Sequence, residues 1–284
     1  MSRKIKEPVL FILPLIFFIV VFLLFPVLGT FWNSLWQDVS FIARRFIAFS
    51  NYVRLLTDGR FWQATLFTVM FALVSVFFEM VFGMITALVL NAHSRLRGAL
   101  RGIALIPWAI PSVIGARIWQ LIYRYDYGIA NILLGKAGVG PVNWLGSPVG
   151  AFTSLVVADV WRTTPFVAII LLAGLQTVPD DMLQQAQIDG ANLFQRFFKI
   201  MIPLIRPILI VAILFRTIDA IRVFDLIYVI TGGGPGGATT SLSMYGYKFF
   251  LTGDFGYGSA ISVILFIIAF LFALLFVRIG RLRA

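Results

Sequence analysis

The sequence predicts an all-α membrane protein of six transmembrane helices with both termini in the cytoplasm, and three observations carry that expectation. Sixty per cent of its 284 residues are apolar and only 12% are charged, where a soluble domain carries about 25% charged residues. Apolar runs long enough to cross a bilayer recur along the chain, at about 20 residues per span. Lys and Arg concentrate in every second connection between those runs.

Taken in order, the runs place spans at 9–32, 61–91, 102–122, 150–177, 208–229 and 258–277. The basic start at 1–6 leads into an apolar run from Val9 to about Phe31 with no small-residue cleavage site, which reads as a retained span and not a signal peptide. The second span is longer than a bilayer requires and is expected to tilt or protrude. Pro107 and Pro111 are expected to kink the third span and Pro165 the fourth. No polar stretch is long enough for a separate soluble domain. The division expected within the chain is 1–60, a transmembrane helix with an external loop, followed by 61–284, a five-helix core.

The N-terminus, 92–101, 178–207 and the C-terminus hold twelve Lys/Arg in 55 residues, against seven in 83 for the loops at 33–60, 123–149 and 230–257. Excess Lys/Arg marks the cytoplasmic side. The +11 net charge is therefore mostly a topology signal, and no motif supports nucleic-acid binding. The outer loops, rich in Gly, Pro, Trp and Asn, are expected to be irregular.

Several chemistries drop out. The chain has no cysteine and one histidine, which excludes thiol catalysis and disulfides and argues against a metal site. His93, among Arg95, Arg97 and Arg101, reads as a solvated loop residue. The glycine-rich 231–240 stretch lacks the Lys beside Ser/Thr that a phosphate-binding loop needs, and no such loop occurs elsewhere. It is expected to be a mobile external loop. An intramembrane enzyme finds no catalytic set in the spans.

The longest cytoplasmic connection, 179–203, reads as two short helices joined by a turn. Pro179 suits a helix start, with Asp180 and Asp181 at the positive end of the dipole. Gly190 stops the first helix. Leu193, Phe194, Phe197, Phe198 and Met201 then recur at helical spacing, with Gln195, Arg196 and Lys199 opposite. Pro203 is expected to break the pattern. An apolar face in such a loop must be covered, either by the chain's own spans or the lipid interface, or by a partner.

Within this segment Gln184-Gln-Ala-Gln-Ile-Asp-Gly-Ala191, followed by Phe197, Ile200 and Pro203, resembles the EAA loop of the permease subunits of ABC importers. The resemblance implies a type I ABC importer permease architecture, with 61–284 as the permease domain and 179–203 as its coupling loop. Gln184, Gln185, Ala186, Asp189, Gly190, Ala191, Leu193, Phe194 and Phe197 would then form the surface seated on a cytoplasmic ATPase. The family's glutamate is Gln184 here and its first alanine is Gln185, so an ion pair at that position does not carry over. Asp189 is expected to cap the second helix or bond the turn. Trp161-Arg-Thr-Thr-Pro165, Leu171-Leu-Ala-Gly-Leu175, Phe224-Asp-Leu-Ile-Tyr-Val-Ile-Thr-Gly-Gly233 and Arg216-Thr-Ile-Asp-Ala-Ile-Arg222 are similar to the sugar branch, of maltose and trehalose type. What the resemblance implies is an inner-membrane permease that is not itself an enzyme and binds no cofactor. Its partners would be a second homologous permease, two copies of an ATPase that hold ATP and Mg, an external solute-binding protein and a di- or oligosaccharide.

Ionisable residues inside the spans are costly in lipid, about 2.5–3.5 kcal/mol each at mid-depth on insertion scales. They are Glu79, Arg117, Asp159, Arg162, Arg216, Asp219, Arg222 and Asp225. On the fifth span Arg216, Asp219, Arg222 and Asp225 recur every three residues, which pairs opposite signs along one side of a helix. Asp159 and Arg162 repeat the arrangement on the fourth. The functional reading is a translocation path, with these groups bonding sugar hydroxyls and Trp161, Phe224 and Tyr228 stacking on sugar rings. The plainer reading is that the pairs neutralise one another, fix helix packing or gate. The rival function, an ATP-independent secondary carrier, would use the same charges and leave the long cytoplasmic loop without a role.

Overall fold

A computed structural model describes residues 3–92 and 97–281 of the chain; His93 and Arg95 lie outside the described residues. The structure is helical almost throughout. The first span is α1 (Arg3–Ile19), a π-helical turn (Val20–Leu24) and α2 (Phe25–Asn33). From Phe11 onward its apolar side chains are largely exposed, as lipid-facing groups should be. Next come a hairpin, β1 (Trp36–Gln37) and β2 (Arg45–Phe46), then α3 (Ser50–Leu56) and α4 (Gly59–Asn91). The third span is two helices, α5 (Arg97–Ala109) and α6 (Ser112–Ile122), followed by α7 (Ile129–Lys136) and α8 (Pro148–Leu175). The 179–203 segment holds α9 (Asp180–Ile188), α10 (Leu193–Arg196), a π-helical turn (Phe197–Met201) and α11 (Ile202–Leu204). The chain ends in α12 (Arg206–Ile221), α13 (Asp225–Ile230), α14 (Leu242–Leu251) and α15 (Phe255–Arg281).

Among the described residues, four helices are long and apolar enough to cross a membrane: Phe11–Asn33, Gly59–Asn91, Pro148–Leu175 and Phe255–Gly280. Two bent pairs raise the number to as many as six. The first, Gly98–Ala109 with Ser112–Ile122, bends by 85°. Pro111 explains the break: its ring clashes with a helical conformation at the preceding residue, and its own backbone is extended (ψ 136°) before α6 begins. Pro107 lies within α5, and α8 stays one helix through Pro165.

The chain forms two compact units. One comprises the stretch up to Trp62 together with Tyr245–Ile267. Its hairpin and α3 replace the irregular 33–60 loop expected from composition. The reason is hydrogen bonding: buried Asn51 donates to the carbonyls of Ser34 and Trp36 at 2.9 and 3.0 Å, closing backbone groups that a loop would leave to water. Asp58 accepts from the hydroxyls of Tyr245 and Tyr257 and from the Arg60 N–H. Burial pushes the Asp58 carboxyl up, but these bonds outweigh it and hold the group below the ordinary carboxylate value.

The second unit comprises Gln63–Met244 and the stretch from Ile268 onward. One core gathers Phe67 and Phe71 of α4, Leu155 and Val156 of α8, and Leu226 and Ile227 of α13. The other gathers Met84 and Ala87 of α4, Val167 and Leu171 of α8, and Ile205 with Ala212 of α12. Lipid tails are as apolar as these side chains, so close packing rather than water exclusion must hold the helices together. Gly83 permits that approach: a Cβ there would lie 2.5 Å from the Cγ1 of Val167. The 231–240 stretch, expected to be mobile, is bonded to itself. Thr231 and Thr239 share a hydrogen bond of 2.8 Å, and the Thr239 hydroxyl donates to the Gly234 carbonyl at 2.5 Å.

Candidate translocation site and coupling segment

The site is built around one buried arginine. Arg216 on α12 is 2% exposed and Glu79 on α4 is fully buried. A lone guanidinium or carboxylate at such depth would be untenable, and each supplies the other's partner. Arg216 Nε donates to Glu79 Oε2 at 2.5 Å and Nη2 to Oε1 at 2.7 Å, a bidentate pair. Nη2 also reaches Asp159 of α8 at 3.2 Å, and Nη1 reaches Asp219 at 2.6 Å. The Thr163 hydroxyl lies 2.7 Å from Glu79 and from the Asp159 carbonyl. Three helices, α4, α8 and α12, are thereby clasped at a single point.

This differs from the pairing expected along single helices. Asp159 bonds Arg216 and not Arg162, whose Nε is buried without a hydrogen-bond partner. On the fifth span Asp219 bridges Arg216 and Arg222, the latter at 3.6 Å, as the spacing suggests. The row then ends, because α12 stops at Ile221 with Arg222 as its cap. Phe224 leaves the helical region at φ −136° and α13 starts afresh at Asp225. A three-residue spacing has no meaning across that break, and Asp225 instead accepts from Ser112 of α6 at 2.5 Å.

The break opens a polar cavity of about 320 Å³ beside the clasp. Asp159, Arg162, Arg216, Asp219, Arg222 and Asp225 line it together with Ser112 and Phe224. Two of the aromatic candidates stand off. Tyr228 is half-exposed and stacks on Phe224, with centroids 5.4 Å apart and planes at 18°. Trp161 lines a separate apolar cavity of about 800 Å³ and meets Trp119 edge-on at 5.7 Å. Glu79, which the charge rows did not include, is the strongest partner in the cluster. Its signal in the sequence is a single carboxylate in a long apolar helix, which announces a partner without saying where.

The 179–203 segment has the opposite character. Gly190, at φ +85°, makes the turn that ends α9. Asp189 sits at the C-terminal end of α9 and does not cap α10; Asn192 does, accepting from the Gln195 N–H at 2.8 Å in a reciprocal box. Capping needs a side chain immediately before the first turn, and Asp189 is three residues too early. Pro203 does not end the second helix either. The bend of 72° falls at Ile205, between Leu193–Leu204 and Arg206–Ile221. Leu183, Phe197 and Met201 pack against the Met84–Ala212 core and hold the segment in place. Gln184, Gln185, Asp189, Gly190, Leu193 and Phe194 are exposed, Ala186 and Ala191 half-buried. Ile188 at 86%, Phe194 at 76% and Phe198 at 63% exposure stand uncovered.

Residues 79–282 match the family described as binding-protein-dependent transport system inner membrane component. The chain is 51% identical to the trehalose/maltose transport system permease protein MalF of Thermococcus litoralis, over 99% of this chain and 96% of that one. It is 40% identical to the trehalose transport system permease protein SugA of Mycobacterium tuberculosis, over 81% of this chain and 75% of the relative. It is 38% identical to the sulfoquinovosyl glycerol transport system permease protein SmoG of Agrobacterium fabrum, over 84% and 78%. A bacterial alginate ABC transporter, solved in complex with an alginate pentasaccharide-bound periplasmic protein, contains a chain of the same fold. Its TM-score is 0.85 at 23% identity, covering 99% of this chain and 97% of that one. Its relatives are transport permeases and not enzymes, its apolar helices are those of a multi-pass membrane protein, and the chain belongs to the binding-protein-dependent transport system inner membrane component family.

Proposed function

We propose that this chain is the permease subunit of an ATP-driven sugar importer of the inner membrane, and that the cavity at Asp159, Arg162, Asp219, Arg222 and Asp225 lies on its translocation path. The observation that carries this reading is the cavity itself. A chain this poor in charge gathers three arginines and three aspartates around one opening, a lining that can exchange hydrogen bonds with a hydroxyl-rich solute. The identity shared with MalF favours a di- or oligosaccharide of trehalose or maltose type. In this reading Gly98–Ala109 with Ser112–Ile122 is the third span and 208–229 the fifth, giving six in all, and the Lys/Arg bias sets both termini in the cytoplasm. The chain binds no cofactor. A second homologous permease completes the path, an external solute-binding protein delivers the sugar, and two ATPase subunits holding ATP and Mg dock on 179–203. The uncovered Ile188, Phe194 and Phe198 support that docking. A secondary carrier would leave them without a partner.

The test is ATP-driven uptake of labelled trehalose and maltose by the reconstituted transporter. Asp219→Asn and Arg222→Gln change side chains that are more than half exposed and should lower uptake at least tenfold while the chain still assembles with its ATPase. Unchanged uptake of both sugars by both variants would remove the cavity from the path.

A further inference from the structure

The first compact unit carries a surface that neither the cavity nor the coupling segment uses. It is the tip of the 36–46 hairpin. Phe41 is fully exposed, and Ile42 and Phe46 are 57% and 51% exposed. Phe41 also adopts φ +67°, a left-handed conformation that is an outlier for a bulky side chain. The turn is fixed from both sides: the Ile42 N–H donates to the Val39 carbonyl at 3.1 Å, and the Ser40 N–H to the Gly253 carbonyl at 2.8 Å. The fold thus holds an aromatic ring outward at a left-handed position.

We propose that this hairpin is an interfacial membrane anchor, with Phe41 and Ile42 entering the acyl boundary of a phospholipid bilayer and Arg44 and Arg45 facing its phosphates. Continuity with the first span is the main argument. That span ends at Asn33, and strands rise about 3.3 Å per residue, so the tip lies no further than about 17 Å from Trp36. The apolar surface does not stop where the span does. A groove of about 630 Å³, lined by Leu28, Phe31, Trp32, Leu35, Phe49 and Tyr52, carries it on to the base of the hairpin. Trp32 and Trp36 lie side by side at that level, 5.8 Å between centroids, in the manner of interfacial aromatic residues. Charge agrees. The Arg44 guanidinium lies 4.8 Å from the Trp36 ring centroid, donates to Asn33 Oδ1 at 2.6 Å and pairs loosely with Asp38 at 3.6 Å, which keeps a cation beside the aromatic base just past the end of the span. Arg45 is exposed beside it. Apolar tip, aromatic base and flanking cations together match a segment lying in the interface.

The chain has no cysteine, so Ile42→Cys in the full-length protein gives one labelling position. The labelled chain is reconstituted into vesicles of phosphatidylcholine and phosphatidylglycerol. An environment-sensitive fluorophore at residue 42 should be quenched by lipids carrying a nitroxide near the top of the acyl chain at least fivefold more than by aqueous iodide. Adding Arg45→Glu, with the vesicle composition unchanged, should lower the nitroxide quenching of the label. Phe41→Cys provides a second position with the same expectation. Dominant iodide quenching at both positions would place the tip in water and overturn the proposal. Protection from both quenchers would show it covered by protein and overturn it equally.

Discussion

Arg216 and Phe194 are both expensive residues to keep, one for its charge and the other for its exposure, and the chain treats them in opposite ways. Arg216 is buried with four hydrogen bonds to three carboxylates on three helices. Phe194 stands 76% exposed on a helix of one turn. Groups that the fold satisfies internally report on the fold, whereas groups it leaves uncovered report on something beyond the chain. The cavity lies between these extremes: Asp219 is tied to Arg216 on one side and open on the other.

The largest break in that comparison should come from Glu79→Ala. It leaves Arg216 buried without its bidentate partner, and removing one member of a buried pair costs about 3–5 kcal/mol. The expected outcome is loss of the purified, monodisperse protein or a sharply lowered melting temperature in detergent. Glu79→Gln should do less harm, since the amide still accepts hydrogen bonds. Equal stability of the Ala variant would show that the clasp does not hold the three helices.

A smaller effect is expected from acid in the first unit. The folded-state value of Asp58 lies below its unfolded one, so its contribution is fully present above the unfolded carboxylate value of about 3.9 and is lost as pH falls below it. Because the group is partly exposed, the contribution is at most about 1 kcal/mol. Asp58→Asn should lower the melting temperature near neutral pH and flatten its fall between about pH 4.5 and 3.

The smallest effect on stability, within about 0.5 kcal/mol, is expected from Leu193→Asp and Phe194→Asp, because neither side chain is packed against the protein. Their consequence should lie entirely in assembly.

What could be read from the sequence follows the same divide. The two short helices of 179–203 are legible because their signals are local: Pro179 and Asp180 start a helix, Gly190 turns it, and the apolar period of 193–201 sets out the second. Spans were legible by hydropathy. Pairing within the membrane was not, since Glu79 and Arg216 lie 137 residues apart and spacing along one helix points only to neighbours on that helix. The end of α12 at Ile221 escaped for a related reason. No Gly or Pro marks 222–224, and an apolar run reads as one span whether or not the helix breaks inside it. The hairpin and α3 escaped because their backbone is closed by Asn51 and by Gly253 and Asp254, which come from a connection two hundred residues later.

The most direct test of the account is co-purification of tagged full-length protein from detergent-solubilised native membranes, alongside the Leu193→Asp/Phe194→Asp variant. The account predicts that the unaltered chain brings down a P-loop ATPase and a second permease. The variant, inserted and melting as before, should lose the ATPase at least tenfold and keep the permease. An unaltered chain recovered without an ATPase, or a variant that retains it in full, would contradict it.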